Sequence, residues 1–316
     1  MKLIAFVLIA LLAGPALAAF PERPITLIVP FSAGGATDVM GRILARAMGN
    51  RLGQTVIVEN KAGADTAIGA TALMQSAPDG YTLLISSNST FTINPSVNPK
   101  VAYNPARFEG IGLIGAAPLV LLARSTLAAS SVADVVRLAR QKPGALTYAS
   151  FGAATSAHLA GEIFKLTAGV NLLHVPYKGS APAMQDLMAG QVDLSVDTAI
   201  AARAQLAIGK IKAIAVMGSR RSKVLPNVPT VAESGYPGFA VEPWAAIVAP
   251  RGLPPAVQSA LVKALADSVA DPAVRVELEN VGMDVAYEPP AAYDDRLARE
   301  LPQMRTYVHK AKITLD

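Results

Sequence analysis

The 316-residue chain contains no cysteine and carries a formal net charge of +5 at pH 7. The lack of cysteine excludes disulfides, thiolate metal sites and the thiol to which the lipid of a lipoprotein is attached. The basic residues are scattered, without the blocks that follow a phosphate backbone, so we expect no nucleic-acid partner. At roughly 150 residues per domain, the length indicates two domains.

The first residues have the features of an export signal. Lys2 supplies a positive start, Leu3–Leu12 form an apolar run, and Ala16-Leu17-Ala18 matches the small-x-small pattern of a signal-peptidase site. The run is much shorter than the roughly 20 residues that span a bilayer, so an uncleaved anchor is the weaker interpretation. We expect residues 1–18 to be a signal peptide, cleaved after Ala18, and the mature protein to be periplasmic.

After the signal, short β-branched runs alternate with helical patterns. Strands are predicted at Ile25–Val29, Thr55–Val58 and Tyr81–Ile85, and helices at 39–48 and Thr66–Met74. This βαβαβ order predicts a parallel sheet with helices on both faces.

A second alternating run follows residue 124. Its predicted helices are Val132–Ala139, Ser156–Leu166, Ala181–Met188 and 202–207, and its predicted strands are Leu146–Ala149, Leu172–Val175, Val192–Val196 and Ile211–Val216. From Pro254 onward the pattern is mostly helical, with runs at Val257–Val269, Ala273–Val281 and Ala291–Ala311.

The simplest architecture is one lobe interrupted by another. Lobe one is predicted to comprise 19–123 plus 242–316, and lobe two 124–241, with the chain crossing between them near 122–126 and 238–244. The fold class is then α/β, with two lobes and a ligand cleft between them. Two consecutive domains are the weaker alternative, because no Ser/Gly/Pro-rich linker of useful length occurs.

Two loops between a strand and a helix carry the strongest signal for a binding site. The first, Phe31 to Asp38, has small residues and two glycines, which let the backbone approach a ligand. The second runs from Ser150 to Ser156. Each leads into a helix whose first N–H groups suit a carboxylate or phosphate. Helix capping by Thr37, Asp38, Thr155 or Ser156 is the competing role.

A carboxylate lies at a further strand end. Asp197 follows the strand 192–196 and either lines the cleft or caps the next helix. Next to a bound anion it would be repulsive unless it accepts hydrogen bonds from backbone N–H groups or from the ligand.

Catalytic and cofactor motifs are weak. The string Gly110-Ile111-Gly112-Leu113-Ile114-Gly115 has the dinucleotide spacing, but Pro118 follows where a helix should start, so it is interpreted as a glycine-bearing strand. His158, His174 and His309 lack the acid spacing of a zinc site, and no GxSxG motif occurs. We expect no catalytic residue, metal or cofactor, and a structural role for His158 and His174.

Several long segments resemble the substrate-binding proteins of tripartite tricarboxylate transporters, also called Bug or TctC-like receptors. They are Phe20 to Asp38, GQTVIVENKAGA at 53–64, APDGYTLL at 77–84, HVPYKGSAPAMQDLMAGQVDL at 174–194 and PNVPTVAESGYPGF at 226–239. The resemblance implies a type II periplasmic-binding-protein fold and a carboxylate held mainly by backbone amides and water.

The resemblance also implies where the ligand is bound. Together with the loop analysis it predicts contacts at Phe31, Ala33, Gly34, Gly35, Ala36, Thr37, Ser87, Asn88, Ala154, Thr155, Ser156 and Asp197. Ala154 departs from the family, which usually has glycine there. If that position requires a positive φ, the loop must take another shape.

The predicted function is capture of a small mono- or dicarboxylate by a monomeric receptor that delivers it to membrane permease subunits. A carboxylate sensor that signals to a two-component sensor kinase is the alternative within the same class. An enzyme on the same bilobal fold is the alternative from another class, but the sequence offers it no reactive group.

Overall fold

A computed structural model describes residues 20–280 and 282–311. The predicted signal peptide at 1–18 lies outside this part of the chain. The strands are β1 (Ile25–Val29), β2 (Val56–Asn60), β3 (Thr82–Ser87), β4 (Phe108–Ala116), β5 (Leu119–Arg124), β6 (Thr147–Ser150), β7 (Leu173–Pro176), β8 (Leu194–Thr198), β9 (Ile211–Val216), β10 (Trp244–Pro250) and β11 (Asp284–Glu288).

The helices follow the predicted alternation closely. They are α1 (Ala36–Leu52), α2 (Ala67–Met74), α3 (Asn94–Val97), α4 (Val132–Gln141), α5 (Ser156–Ala168), α6 (Ser180–Ala189), α7 (Ala199–Ala207), α8 (Pro255–Ala270), α9 (Pro272–Asn280) and α10 (Ala291–Ala311).

Two mixed sheets form the two lobes. The first has the order β11-β4-β10-β3-β1-β2, in which β1 is parallel to β2 and β3. The second has the order β7-β6-β8-β5-β9, in which β6 is parallel to β7 and β8. The parallel pairs are those that the βαβ pattern predicts. The antiparallel strands β10 and β5 are set into them where the chain passes between the lobes.

Sheet membership moves the first lobe boundary. The sequence pattern predicts that lobe one ends at residue 123, but β5 pairs with β8 and β9 of the second sheet. The crossing therefore lies at Ala117-Pro118, between β4 and β5. Local pattern could not show this, because β4 and β5 are both apolar and only pairing assigns them to different sheets. The return crossing lies at Glu242-Pro243, just before β10.

The two crossing segments lie side by side. The Ala117 N–H donates to the Pro243 carbonyl at 3.2 Å. The lobes also touch away from the crossings, because Leu159 of α5 packs with Ile93 and with Val308 of α10. The last helix, α10, thus belongs to lobe one and also packs against α5 of lobe two.

The helix that opens lobe one shows how sequence sets local structure. In α1, Met40, Ile43, Leu44 and Met48 recur at helical spacing and are buried. Burying each side chain contributes about 1.5–3 kcal/mol. The helix ends at Gly53, whose φ of 68° is left-handed, a conformation that glycine adopts without strain.

The GxGxxG string lies within β4, so the prediction of a glycine-bearing strand is confirmed. A Cβ at Gly110 would come within 2.7 Å of the Pro290 carbonyl, and one at Gly112 within 2.7 Å of the Tyr287 ring. These glycines therefore allow the C-terminal segment to pack closely on the sheet.

Candidate ligand-binding site

A cavity lies between the lobes beside the crossing segments. It contains about 480 Å³ of space free of atoms. Its lining residues are Phe31, Gly35, Ala36, Thr37, Met40, Ser87, Ala117, Phe151, Ser156, Ser180, Thr198, Pro243, Trp244 and Ala245. We call it the inner chamber. None of these lining residues carries a formal charge.

Helix N-termini converge on the inner chamber from both lobes. Ala36 begins α1, Ser156 begins α5 and Ser180 begins α6, while Thr198 precedes α7. The first N–H groups of a helix lack partners within the helix and carry the positive end of its dipole. No side chain caps α1 or α6. The chamber therefore presents hydrogen-bond donors and positive potential without a cationic side chain.

The first loop is held in shape by Asp38. Its carboxylate accepts hydrogen bonds from the Gly34 N–H at 2.9 Å, from Arg42 Nε at 3.0 Å and from Asn60 Nδ2 at 2.9 Å. Burial acts to raise the pKa of Asp38, but the bonds from Arg42, Gly34 and Asn60 outweigh it and hold the pKa below its usual value. Asp38 therefore holds the loop in shape as an ionised carboxylate.

Part of this loop is exposed to solvent, and its second half is buried. Ala33 and Gly34 are exposed and do not line the chamber, whereas Gly35, Ala36 and Thr37 do. Of the residues predicted in this loop, the structure therefore brings Phe31 and the last three to the cavity.

In the second loop, Thr155 and Ser156 have different roles. Thr155 Oγ1 donates to the Gly152 carbonyl at 2.7 Å and accepts from the His158 N–H, so it caps α5. Ser156 reaches the chamber, and its N–H donates across the cleft to Ser89 Oγ at 3.0 Å. Ala154 is buried and avoids positive φ, because Gly152 takes that conformation at 154°. Alanine at 154 therefore causes no strain.

Two histidines support the second loop from behind. The His158 and His174 rings stack with centroids 3.9 Å apart. His158 Nδ1 bonds to the Ala153 carbonyl, and His174 Nε2 lies 2.8 Å from Ser150 Oγ. Burial lowers the pKa of His158 to about 4 and that of His174 to about 3, with repulsion from Lys165 and between the rings adding to the shift. Both histidines act on loop structure and neither lines the inner chamber.

Asp197 lies just behind the chamber wall. It is fully buried, and its Oδ1 accepts from Ser180 Oγ at 2.9 Å and from the Thr198 N–H at 2.7 Å. Its Oδ2 has no partner among the described residues. Burial raises the pKa of Asp197 to about 7, although the bonds from Thr198 and Ser180 oppose the shift. Asp197 therefore positions two lining hydroxyl residues and is not itself in the lining.

An aromatic pair separates the inner chamber from a second cavity nearer solvent. Phe31 and Phe151, one from each lobe, meet edge to face at 6.0 Å and line both cavities. The second cavity, which we call the outer chamber, has about 710 Å³ of atom-free space, and its wall includes Asp65, Thr155 and Lys178.

Asn88 points elsewhere. It lines a groove between α5 and α10, while its neighbour Ser87 lines the inner chamber. Asn88 follows the last residue of β3, and its backbone has already left the strand conformation, with φ at −52° and ψ at −19°.

More than half of the lining residues were not predicted from the sequence. The residues not predicted are Met40, Ala117, Phe151, Ser180, Thr198, Pro243, Trp244 and Ala245. Ser180 and Thr198 had a usable signal, since each stands between a strand and a helix as Thr37 and Ser156 do. The residues at the crossings had none, because their exposure to the cavity depends on how the lobes meet.

Within 20–280 and 282–311, no three His, Cys, Asp or Glu side chains are grouped as a metal site would require. In the same ranges, no helix has the length and apolarity to cross a bilayer.

Solved structures share both the fold and its two-lobed form. The periplasmic binding protein BugD is 38% identical, with 93% of this chain and 99% of that chain covered and a TM-score of 0.89. An R. palustris protein solved with adipate is 32% identical, with 93% and 99% covered and a TM-score of 0.90. MatC from Rhodopseudomonas palustris, with bound malate, is 31% identical, with 92% and 100% covered and a TM-score of 0.85. The fold is thus that of the two-lobed periplasmic binding proteins.

The family follows from the sequence match. The model of the tripartite tricarboxylate transporter family receptor, TctC, matches residues 40–310. The chain belongs to this family of solute-binding receptors, as its sequence motifs predicted.

Proposed function

We propose that the protein is a periplasmic receptor that captures a small organic mono- or dicarboxylate in the inner chamber and delivers it to the membrane permease subunits of a tripartite-type transporter. The observation that carries the proposal is the convergence of the α1, α5 and α6 N-termini on a chamber without charged lining residues. Such a site suits one anionic group held by N–H and O–H donors.

The lining also constrains the rest of the ligand. Phe31, Met40, Phe151 and Trp244 provide apolar walls opposite the polar helix ends. A carboxylate with a short carbon body matches this division. The adipate and malate held by two structural neighbours are compounds of that class.

The remaining features of the proposal are consistent with this role. Both halves of the chamber come from one chain, which supports a monomeric receptor. The export signal that the sequence predicts at residues 1–18, with cleavage after Ala18, supports the periplasmic location. The chamber lining offers N–H and O–H donors for binding and carries no imidazole, thiol or charged side chain, which supports a receptor over an enzyme.

The test is thermal unfolding of the mature protein against mono-, di- and tricarboxylates, aromatic acids and amino acids. A ligand at 100 times its Kd adds about 2.7 kcal/mol to the unfolding free energy. For a protein of this size the midpoint then rises by several degrees. A selective rise with one or more carboxylates supports the proposal, and a flat response to the whole panel would overturn it.

A further inference from the structure

A strained turn lies at the rim of the outer chamber. Ala64, Asp65 and Thr66 have φ values of 45°, 50° and 80°, so three successive residues other than glycine are left-handed. Side chains with a Cβ disfavour this conformation, and a run of three persists only where surrounding contacts impose it.

Two hydrogen bonds impose the conformation at Asp65. Asn94 Nδ2 donates to its backbone carbonyl at 2.6 Å, from within lobe one. The Ala153 N–H, from lobe two, donates to its carboxylate Oδ1 at 2.8 Å. The second bond crosses the cleft and exists only while the lobes are together.

The partner of Asp65 belongs to the ligand loop of lobe two. The carbonyl of Ala153 is bonded to His158, so Ala153 is held through both its N–H and its carbonyl. Three residues later the chain reaches Ser156 in the inner chamber. Gly152 permits the approach, because a Cβ there would lie 3.0 Å from Asp65 Oδ1.

We propose that Asp65 is a positioning residue for ligand binding, whose carboxylate latches the two lobes together through Ala153. The role in ligand binding rests on the proposed function. The closure of the lobes does not, because it can be measured without a ligand. Asp65 holds the second loop in its binding geometry. Its side chain also forms part of the wall of the outer chamber. The strained turn places the Asp65 carboxylate within hydrogen-bond distance of the Ala153 N–H.

The test is a distance measurement between the lobes. The natural chain has no cysteine, so Thr55→Cys in lobe one and Asn171→Cys in lobe two, both exposed positions, give a spin-label pair without background labelling. Double electron–electron resonance then reports the populations of closed and open forms. Circular dichroism of each variant confirms that it is folded.

Three variants separate the carboxylate from the strain. Asp65→Gly removes both, and losing a charge-assisted hydrogen bond should raise the open-to-closed ratio about tenfold. Asp65→Asn keeps an acceptor without the charge and should raise the ratio by a smaller factor, about threefold. Ala64→Gly relieves strain at an exposed position next to Asp65 and should leave the ratio unchanged.

Two results would overturn the latch, and a third would separate it from the proposed function. An unchanged ratio in Asp65→Gly overturns the latch, and so does an equal increase in Asp65→Gly and Ala64→Gly, since the turn's flexibility would then be responsible. If the carboxylate panel gives no binding while Asp65→Gly still opens the cleft, the proposed function fails and the latch stands.

Discussion

The imidazole rings of His158 and His174 stack behind the loop Ser150 to Ser156, with their centroids 3.9 Å apart and their planes 4° from parallel. Protonation of either ring would bring a charge against a buried neighbour. Glu162 and Lys165 of α5 and Tyr148 of β6 surround the pair; Lys165 opposes protonation and Glu162 favours it, but burial dominates.

This arrangement predicts acid sensitivity of the fold. Folding lowers the pKa of both histidines from the ordinary value of 6.5 to about 4 and about 3. The unfolded chain therefore binds protons that the folded protein does not, and stability falls as the pH drops below 6.5. Each histidine contributes a slope of up to about 1.4 kcal/mol per pH unit. Urea unfolding between pH 4.5 and 7.5 measures it.

The variant His174→Gln should have a flatter pH profile than the wild type, because it removes one of the two protons. The exposed His309 provides the control, and His309→Gln should keep the wild-type slope. A wild-type slope in His174→Gln would contradict the prediction.

The contribution of Asp197 to stability should change with pH in the opposite direction to that of the histidines. Burial raises its pKa to about 7, so the folded protein keeps a proton that the unfolded chain, with an ordinary pKa of about 3.9, has released. The stability that this proton gives is complete below about pH 4 and is lost as the pH rises toward 7. Asp197→Asn cannot ionise. Its unfolding free energy relative to the wild type should increase by up to about 1.4 kcal/mol per pH unit over that range.

The difference between Asp197→Asn and the wild type isolates this effect from the histidines, because both proteins contain the histidine pair. Asp295→Asn, at an exposed position, should show no such pH-dependent difference. A constant difference between Asp197→Asn and the wild type from pH 4 to 7 would mean that Asp197 is ionised throughout.

Gly179 is predicted to be essential for closure. Its φ is 127°, and a Cβ there would overlap the hydroxyl of Ser32 in the opposite lobe. Gly179→Ala should therefore combine backbone strain with an interlobe clash, and should lose about 1–3 kcal/mol more than strain alone. Gly252→Ala is the control, with φ at 107° and open space around the added carbon. Equal unfolding free energies for the two variants would exclude the clash.

Filling the inner chamber should abolish binding without unfolding the protein. Ala36 lines the cavity at the first turn of α1, so Ala36→Leu places its added carbons in empty space. The thermal midpoint without ligand should stay within a few degrees of the wild type, and the rise with a carboxylate ligand should vanish. Ala273→Leu, at an exposed helical position, should keep the full rise. Retained binding in Ala36→Leu would place the ligand elsewhere.

The sequence by itself determined the local elements and the family. Hydrophobic spacing predicted most strands and helices within a few residues, since periodicity records which face of each element is buried. The glycine-rich loop and the Ser/Thr residues before helices marked Gly35 to Thr37 and Ser156, because helix N-termini need small or capping residues. The long motifs identified the family and hence the two-lobed architecture.

Tertiary structure decided which of those residues share a cavity. Ala33 and Asn88 were predicted together with Gly35 and Ser87, but Ala33 is exposed and Asn88 lines another groove. β5 joined the second sheet through pairing with β8 and β9. Ala117, Pro243 and Trp244 became part of one lining only when segments distant in sequence met at the crossings. Periodicity and motifs depend on near neighbours in the chain, whereas a chamber between lobes depends on contacts that no local pattern records.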